Sequence, residues 1–254
     1  MEKYAAVILA AGKGTRMNEG QASPIPKVMF KANDKPVIDY SVQAIRAADI
    51  NRVVLVVGYK KELIEEYFGE KVEYAVQEQQ LGTGHALASA RYLLGNQSDA
   101  VICFYGDNPL YKPDTIKRLI SVFEREQPTI AMLSVIFEDP KFWAFGRIIR
   151  DDAGEVVGIV EQKDCTPEQL EIKESNPGFY IFDAKWLWEN IDQIHTDNAQ
   201  KEYYLTDMIA IAKEQGKRIV ALPVSEETET LGVNTQEQLK EVEKVLQSRE
   251  VIEN

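Results

Sequence analysis

Up to about residue 137, the chain alternates short apolar runs with amphipathic segments. The apolar runs are rich in β-branched residues and are bounded by polar residues or glycine, as buried strands are. They read YAAVILAA, RVVLVVG, KVEYAVQ, AVICFYG and TIAMLSV. The segments between them repeat apolar residues with a period near 3.6, which indicates helices. Such alternation predicts parallel βαβ units with right-handed crossovers.

After residue 137 the pattern changes. The stretches GRIIRD and EVVGIVEQKD, joined by DAG, are typical of a β-hairpin with a glycine in its turn. A strand-like run GFYIFD, two helical segments, a further strand RIVALPV and an amphipathic helix from Thr235 follow. We therefore expect an α/β fold of the Rossmann-like kind, with an open, mixed and mostly parallel sheet and helices on both faces.

Composition and charge exclude several classes of protein. The net charge of −12 argues against a general nucleic-acid-binding protein. No apolar run approaches the roughly 20 residues of a membrane span, and MEKYAAVILAAG lacks the features of a signal peptide. Cys103 and Cys165 do not form a CxxC pair, which argues against zinc and for a reducing compartment. We expect a cytoplasmic protein with no nucleic-acid or membrane partner.

The stretch VILAAGKGTRM contains the first candidate site. It places a loop with few side chains at the carboxyl end of a predicted strand, which is where ligands bind in such sheets. Backbone N–H groups of this loop could approach a phosphate closely, and Lys13 and Arg16 would supply charge. A glycine turn with solvated cations explains the same residues equally well. Met17 stands where the third glycine of GxGxxG would be, so the dinucleotide fingerprint is absent.

Two further motifs support the phosphate interpretation. In IPK, a proline fixes the backbone and directs the ammonium group of Lys27, although Lys27 taken alone is more typical of a surface lysine. In QEQQLGTGHA, two glycines flank Thr83 just before a predicted helix, so we expect Thr83 to cap that helix. The amides of Gln77, Gln79 and Gln80 could read the edge of a base, or could simply be exposed.

In YGDNPL, a carboxylate follows a predicted strand. Asp107 would lie at the carboxyl end of that strand, beside the glycine loop. Mg²⁺ keeps several waters and needs only one or two protein oxygens besides phosphate. Asp107 is therefore a candidate ligand for Mg²⁺, and a structural role in capping the next turn is the alternative.

In their order, these motifs resemble those of the N-acetylglucosamine-1-phosphate uridylyltransferase domain of the bifunctional bacterial enzyme that makes UDP-N-acetylglucosamine. The resemblance spans about Ala5 to Thr235 and includes PK, GRIIR, IVEQKD and GVNT. LAAGKGTRM alone indicates only the sugar nucleotidyltransferase superfamily, whereas QLGTGHA together with NAQKEYYLTD is more specific. The fold it implies is the nucleotide-diphospho-sugar transferase type.

We expect a single nucleotidyltransferase domain, 1–254, whose second half folds against its first. By the resemblance, residues 1–137 form the nucleotide-binding half and residues 138–234 the sugar-binding half. Residues 235–254 form the C-terminal helix.

The resemblance also implies roles for individual residues. Arg16 and Lys27 would be catalytic and would act on the phosphates, and Asp107 with Asn234 would bind Mg²⁺. The nucleotide-binding set is Leu9, Ala10, Ala11, Gly12, Gly14, Thr15, Gln77, Gly82, Thr83, Tyr105 and Gly106, of which Gln77 and Gly82 would recognise uracil. The sugar-binding set is Gly146, Glu161, Asn176, Tyr204 and Thr206.

The sequence departs from that family's pattern at three places. The segment NEGQASPI between Met17 and Pro26 is longer than usual. Pro177 follows Asn176 where the family typically has threonine. No hexapeptide repeats of a left-handed β-helix are present, so we expect no acetyl transfer.

The implied reaction condenses UTP with N-acetylglucosamine 1-phosphate, giving UDP-N-acetylglucosamine and pyrophosphate. A sugar 1-phosphate is already an anion near pH 7 and needs no general base, so catalysis consists of positioning two anions and neutralising their charge. The expected partners are UTP, a sugar 1-phosphate and, in a homo-oligomer, a second copy of the chain. The alternatives are a transferase for another nucleotide, sugar phosphate or phosphorylated alcohol, and a non-catalytic regulator that binds nucleotide sugars.

Overall fold

The computed structural model of the chain describes residues 2–19, 24–95, 97–139 and 145–253, without the side chains of 250–253. The longer segment between Met17 and Pro26 therefore lies partly outside the described residues. No helix within these ranges has both the length and the apolar composition that crossing a bilayer requires.

The strands and helices alternate as the sequence predicts, with a few short additions. The strands are β1 (Glu2–Leu9), β2 (Lys31–Ala32), β3 (Lys35–Pro36), β4 (Val53–Val57), β5 (Glu73–Val76), β6 (Ser98–Tyr105), β7 (Ile130–Ile136), β8 (Gly146–Arg150), β9 (Val156–Val160), β10 (Glu174–Asn176), β11 (Phe179–Asp183) and β12 (Ile219–Pro223). The helices are α1 (Val37–Ala47), α2 (Lys61–Phe68), α3 (Thr83–Ala88), α4 (Arg91–Leu94), α5 (Pro113–Glu126), α6 (Pro167–Leu170), α7 (Ala184–Asn190), α8 (Asp207–Glu214) and α9 (Gln236–Glu253).

Within the described residues, ten strands form one mixed sheet. Its order is β5-β4-β1-β6-β11-β7-β10-β8-β9, with β12 paired to β7, and β2 and β3 form a separate ribbon. Strands β1, β4, β5, β6, β7, β8 and β12 run in one direction, whereas β9, β10 and β11 run in the opposite one. The prediction of a mixed, mostly parallel sheet is confirmed.

Helices cover both faces of the sheet, because successive residues of a strand point to opposite sides. Alternate residues of β1, such as Val7, pack against α3, α7 and α8. The intervening ones, such as Ile8, pack against α1, α2 and α5. Since β1 is buried from both sides, its sequence is a continuous apolar run rather than an alternating one. This confirms the prediction of helices on both faces.

A third apolar cluster attaches the C-terminal helix to the loop that follows β1. Leu239, Val242 and Leu246 of α9 are buried with Met17 and Phe30. The side chain of Gln236 also donates a hydrogen bond to the Met17 carbonyl oxygen at 3.1 Å. Helix α9 therefore places the residues just before it at the rim of the same sheet edge.

The structure differs from the sequence expectation in two local features. The segment GHALASARYLLG, expected to be one helix, forms two short helices, α3 and α4. Near Ser89 some backbone hydrogen bonds join residues three apart instead of four, and the Ser89 hydroxyl donates to the His85 carbonyl oxygen, which interrupts the regular α-helix. The short strand β10 was not predicted, because three residues before Pro177 are too few to show a strand pattern. It pairs with β7 on one side and β8 on the other.

Candidate active site

A cleft of about 410 Å³ opens at the carboxyl ends of β1, β5 and β6. Parallel strands end together at this edge, so their loops converge on one space. The cleft is lined by Leu9, Ala10, Ala11, Gly12, Lys27, Val28, Gln77, Gln80, Gly82, Thr83, Ala86, Tyr105, Asp107, Asn108, Phe145, Glu202 and Asn234. It therefore combines residues of six motifs seen in the sequence: VILAAGKGTRM, IPK, QEQQLGTGHA, YGDNPL, NAQKEYYLTD and GVNT.

The loop after β1 lies directly against Lys27. Ala10 and Ala11 are buried, and the Ala10 N–H donates to the Val56 carbonyl oxygen at 2.8 Å, which anchors the start of the loop to β4. Gly14 has a φ of +62°, and a Cβ placed there would lie 2.5 Å from the Lys27 Cβ. Only glycine fits this position, because both the backbone conformation and the space exclude a side chain.

Three polar side chains meet at one wall of the cleft. The Lys27 ammonium donates a hydrogen bond to the Asp107 carboxylate, with which it forms an ion pair. It also donates to the Asn234 side-chain oxygen at 2.7 Å. One cation thus lies between two oxygens from distant parts of the chain.

Backbone contacts bring Asn234 to this position. The Val233 N–H donates to the Asp107 carbonyl oxygen at 2.8 Å, so the two segments are joined one residue before Asn234. The Asn234 N–H donates to the Gln238 side chain at 2.8 Å, and the Gln238 N–H donates to the Thr235 hydroxyl at 3.2 Å. The first turn of α9 therefore fixes the backbone of Asn234 and leaves its amide for the cleft.

The two oxygens fit a divalent cation of the magnesium type. A carboxylate and an amide oxygen are the hard ligands that Mg²⁺ prefers, and they converge here on one positive charge, the Lys27 ammonium. Among the described residues, no group of three or more His, Cys, Asp or Glu side chains could hold a metal ion. The site therefore suits an ion that takes its remaining ligands from water and phosphate.

Gln77 and Gly82 line another part of the cleft. Gln77 is only 3% exposed, and its Nε2 lies 3.0 Å from the Gly82 carbonyl oxygen and 3.0 Å from His85 Nδ1. Gly82 has a φ of +120°, and a Cβ there would lie 2.5 Å from the Tyr203 carbonyl oxygen. This part of the cleft therefore depends on a close approach between the backbones of Gly82 and Tyr203.

Three hydrogen bonds join the segment around Gly82 to the segment around Tyr203. The Tyr203 N–H donates to the Leu81 carbonyl oxygen at 2.8 Å, and the Gly84 N–H donates to the Tyr203 carbonyl oxygen at 2.8 Å. The Leu205 N–H donates to the Thr83 hydroxyl at 2.9 Å. The expectation that Thr83 caps α3 is therefore wrong: the N-cap is Gly82, and the Thr83 hydroxyl serves the neighbouring segment instead.

The predicted sugar-binding residues lie together next to the cleft rather than in its lining. The Thr206 hydroxyl donates to a Glu161 carboxylate oxygen at 3.1 Å. Gly146 pairs in register with Asn176, and a Cβ on Gly146 would lie 3.4 Å from the other Glu161 oxygen. Burial raises the pKa of the Glu161 carboxyl, and the hydrogen bond from Thr206 lowers it in part. The nearby carboxylates of Asp164 and Asp207 raise it further. Tyr204 is buried beside the same carboxylate.

Tyr105 connects the two groups of residues. Gly178 has a φ of +79°, and a Cβ on it would lie 2.0 Å from the Tyr105 ring, so the ring lies close against the Gly178 backbone. The Tyr105 hydroxyl is hydrogen-bonded to the Thr83 side chain. Burial, together with the Glu161 charge, raises the Tyr105 pKa well above its usual value, so the phenol stays protonated.

Not all predicted residues line the cleft. Arg16 and Thr15 are exposed on the loop after β1. Gly14 and Gly106 do not line the cleft either, and Gly106 lies against Ile8. The sequence analysis missed Val28, Ala86, Asn108, Phe145 and Glu202, which do line it. Asn108 carries a usable signal, since it follows Asp107 directly. Its side-chain amide donates to the Pro177 carbonyl oxygen at 3.2 Å.

Comparisons with known proteins agree with this geometry. A model of the family described as "Nucleotidyl transferase" matches residues 5–248. The chain is 42% identical over 251 residues to the bifunctional protein GlmU of Geobacter metallireducens, covering 98% of this chain and 52% of that protein. It is 43% identical over 249 residues to the bifunctional protein GlmU of Caldanaerobacter subterraneus subsp. tengcongensis, covering 98% and 53%. The chain thus spans about half the length of these relatives.

Two solved structures share the fold. One is a UDP-glucose pyrophosphorylase complexed with UDP-glucose, with a TM-score of 0.80, 22% identity and coverage of 98% of this chain and 100% of that one. The other is a putative glucose-1-phosphate thymidylyltransferase from Bacillus anthracis in complex with a sucrose, with a TM-score of 0.78, 18% identity and coverage of 95% and 94%.

Proposed function

The chain belongs to the nucleotidyl transferase family, and on this basis we propose that it transfers a uridylyl group from UTP to N-acetylglucosamine 1-phosphate. The products would be UDP-N-acetylglucosamine and pyrophosphate. The observation that carries the proposal is the composition of one cleft. A loop poor in side chains, a buried glutamine amide and an Asp–Asn pair of oxygens lie around the same space.

The roles proposed for the residues follow from charge. The sugar phosphate oxygen attacks the α-phosphorus of UTP, and the bond to pyrophosphate breaks. No residue has to remove a proton, because the attacking oxygen is already ionised. The Lys27 ammonium and the N–H groups of the loop after β1 would bind the departing phosphates, and Arg16 would add a second positive charge.

We propose that Asp107 and Asn234 hold Mg²⁺. Enzymes of this family generally use a divalent metal, and the two oxygens already share one cation in the structure. When bound, Mg²⁺ would neutralise negative charge on the phosphates. Asp107 and Asn234 orient their oxygens through the backbone contact at Val233. Lys27, whose ammonium shares these oxygens in the structure, would then be free to pair with phosphate.

The sugar pocket is proposed beside this site. Glu161 would accept hydrogen bonds from sugar hydroxyls, and Asn176, which can donate and accept, suits an acetamido group. The remaining expectations stay predictions: a cytoplasmic location, a homo-oligomer, and the division of a single domain into nucleotide-binding and sugar-binding halves.

The test is a matrix of four nucleoside triphosphates against several sugar 1-phosphates, including those of N-acetylglucosamine and glucose, with pyrophosphate release as the readout. Each pair is measured with Mg²⁺ and with excess EDTA. We expect UTP with N-acetylglucosamine 1-phosphate to give the highest kcat/KM and EDTA to abolish turnover. Equal use of ATP or GTP, or full turnover in EDTA, would contradict the proposal.

A further inference from the structure

We propose that His85 sets the orientation of the Gln77 side-chain amide and thereby makes the cleft prefer uracil to cytosine. The inference rests on the proposed function, since it assumes that Gln77 meets the base of a bound pyrimidine nucleotide. His85 is then a positioning residue, because it acts on the base through Gln77 rather than by touching it.

The Gln77 amide is held from two sides. Its nitrogen Nε2 lies 3.0 Å from the Gly82 carbonyl oxygen and 3.0 Å from His85 Nδ1. A carbonyl oxygen only accepts hydrogen bonds, so the amide atom that faces Gly82 must be the nitrogen. The second N–H of that nitrogen is available to His85 Nδ1, which accepts it when the imidazole proton is on the other ring nitrogen.

The surroundings of His85 are compatible with that proton position. His85 also lines a separate cavity of about 260 Å³, together with Gly84, Ala88, Ile191, Asp192, Ile194 and Tyr203. The described residues offer the ring no hydrogen-bond partner other than Gln77. The ring nitrogen that carries the proton can therefore donate to water in this cavity, and Nδ1 stays an acceptor.

The consequence concerns the Gln77 oxygen. With both N–H groups of Nε2 engaged, the amide can offer the cleft only Oε1, which has no hydrogen-bond partner among the described residues and can only accept. Uracil has an N–H at position 3 of its ring, whereas cytosine has a lone pair there. The Gln77 oxygen would accept a hydrogen bond from the N3–H of uracil, whereas it would repel the lone pair on N3 of cytosine.

Removal of the His85 acceptor should weaken this selectivity. The second N–H of Nε2 would then be unpaired, and the terminal torsion of a glutamine rotates easily. With its first N–H still on the Gly82 carbonyl oxygen, the amide could tilt so that the freed second N–H donates to the cytosine ring nitrogen. A polar group left unpaired in a buried site changes kcat/KM by about tenfold or more, which is the size of effect we expect.

The test compares kcat/KM for UTP and for CTP, with one sugar 1-phosphate, in the parent protein and in His85→Leu and His85→Asn. Leucine removes the acceptor, whereas asparagine can place an amide oxygen near the position of Nδ1. We expect the UTP-to-CTP ratio to fall about tenfold in His85→Leu, mainly through better use of CTP. The ratio should be largely restored in His85→Asn.

Ser89→Ala is the matched control. The Ser89 hydroxyl donates to the His85 carbonyl oxygen at 3.0 Å, so this change disturbs the same helix without touching the imidazole. It should leave the ratio unchanged. If His85→Leu lowers the use of UTP and CTP equally, His85 has only a structural role and the inference is wrong.

A second measurement uses only the parent protein. UTP methylated at N3 of the ring lacks the donor, so kcat/KM should fall at least about tenfold relative to UTP. Equal use of the methylated nucleotide overturns the inference. A parent that does not use UTP at all overturns the proposed function as well, whereas a parent that prefers UTP regardless of residue 85 overturns only the role of His85.

Discussion

The Lys27 ammonium lies 2.7 Å from the side-chain oxygen of Asn234, although 207 positions separate the two residues along the chain. Lys27 follows the glycine loop, and Asn234 precedes the C-terminal helix. The contact therefore brings an early and a late segment of the chain to one edge of the sheet. Asp107, from the middle of the fold, completes this polar group.

Asp107→Ala should lower kcat by about 100-fold or more, the scale for removing a group that stabilises charge in a transition state. The fold should survive, since the Lys27 ammonium keeps Asn234 as a partner. The measurement is pyrophosphate release across a Mg²⁺ titration, with urea unfolding to check the fold. Asp99→Ala, an exposed carboxylate on the same strand β6, is the control and should retain activity. Comparable loss in both variants would contradict the role of Asp107.

Arg16→Ala should lower kcat by about 100-fold while changing KM for UTP much less. Arg16 is exposed and has no hydrogen-bond or ion-pair partner among the described residues, so its removal breaks no such contact with them. Its charge would act mainly on the departing pyrophosphate. Steady-state kinetics would check this, with Lys31→Ala, an exposed lysine that does not line the cleft, as the control. A rise in KM at constant kcat would make Arg16 a ground-state binding residue.

Gly82→Ala should destabilise the protein more than Gly154→Ala. Both glycines have positive φ, +120° and +81°, which costs about 1–3 kcal/mol for a side chain. Only at Gly82 would the new Cβ meet another backbone, 2.5 Å from the Tyr203 carbonyl oxygen, whereas nothing lies within 4 Å at Gly154. Overpacking adds about 1–3 kcal/mol. Urea unfolding of the two variants measures the difference in their free energies of unfolding. Equal losses of this free energy would show that the segment around Tyr203 moves to accommodate the new Cβ.

Asp207 should make stability depend on pH. Burial raises the pKa of the Asp207 carboxyl from its usual 3.8 to about 6, against the effect of His195. The folded state therefore holds this proton more tightly, and its stabilising contribution is lost as pH rises from about 4 through 6. Asp207→Asn keeps a neutral side chain. The free energy of unfolding of the parent should fall relative to that of the variant across this window and differ by a constant amount above it. The measurement is urea unfolding at each pH. If the free energies of unfolding of the parent and of the variant change with pH in parallel across this window, the prediction is wrong.

Glu161→Gln and Asn176→Ala should each weaken the use of the sugar 1-phosphate by about tenfold or more, because a lost hydrogen bond to a charged or buried group costs about 1.5–3 kcal/mol. UTP affinity should change little. Glu155→Gln, on an exposed residue of the same hairpin, is the control. The measurements are KM for each substrate and the ratio of N-acetylglucosamine 1-phosphate to glucose 1-phosphate use. A preference for glucose 1-phosphate would refute the acetamido assignment and direct attention to Pro177.

Most of the fold could be predicted from the sequence because its strands are buried on both faces. Continuous apolar runs such as the one around Val7 identify central parallel strands without reference to tertiary contacts. The polar strand β10 has no such signal. It exists because β7 and β8 supply its hydrogen bonds.

The candidate site was predictable in part, for a related reason. Gln77 directly follows β5 and Asp107 lies two residues after the end of β6, so the strand pattern places them at the sheet edge. Asn234 follows no strand, so the strand pattern does not indicate it and only the resemblance, through GVNT, does. Its position depends on the Val233 contact to Asp107 and on the packing of α9, both of which are tertiary. Glu202 enters the cleft because its neighbour Tyr203 is bonded to the segment around Gly82.

Those bonds between the segments around Gly82 and Tyr203 have a consequence for protein engineering. Residues 81–84 approach the proposed base, whereas residues 203–206 lead to the proposed sugar pocket, and the two stretches share three hydrogen bonds. A chimaera that takes only one of the two stretches from a relative combines segments that do not fit each other, because the close packing at Gly82 depends on the Tyr203 backbone. Nucleotide preference and sugar preference should therefore transfer between homologues only when both stretches are exchanged together.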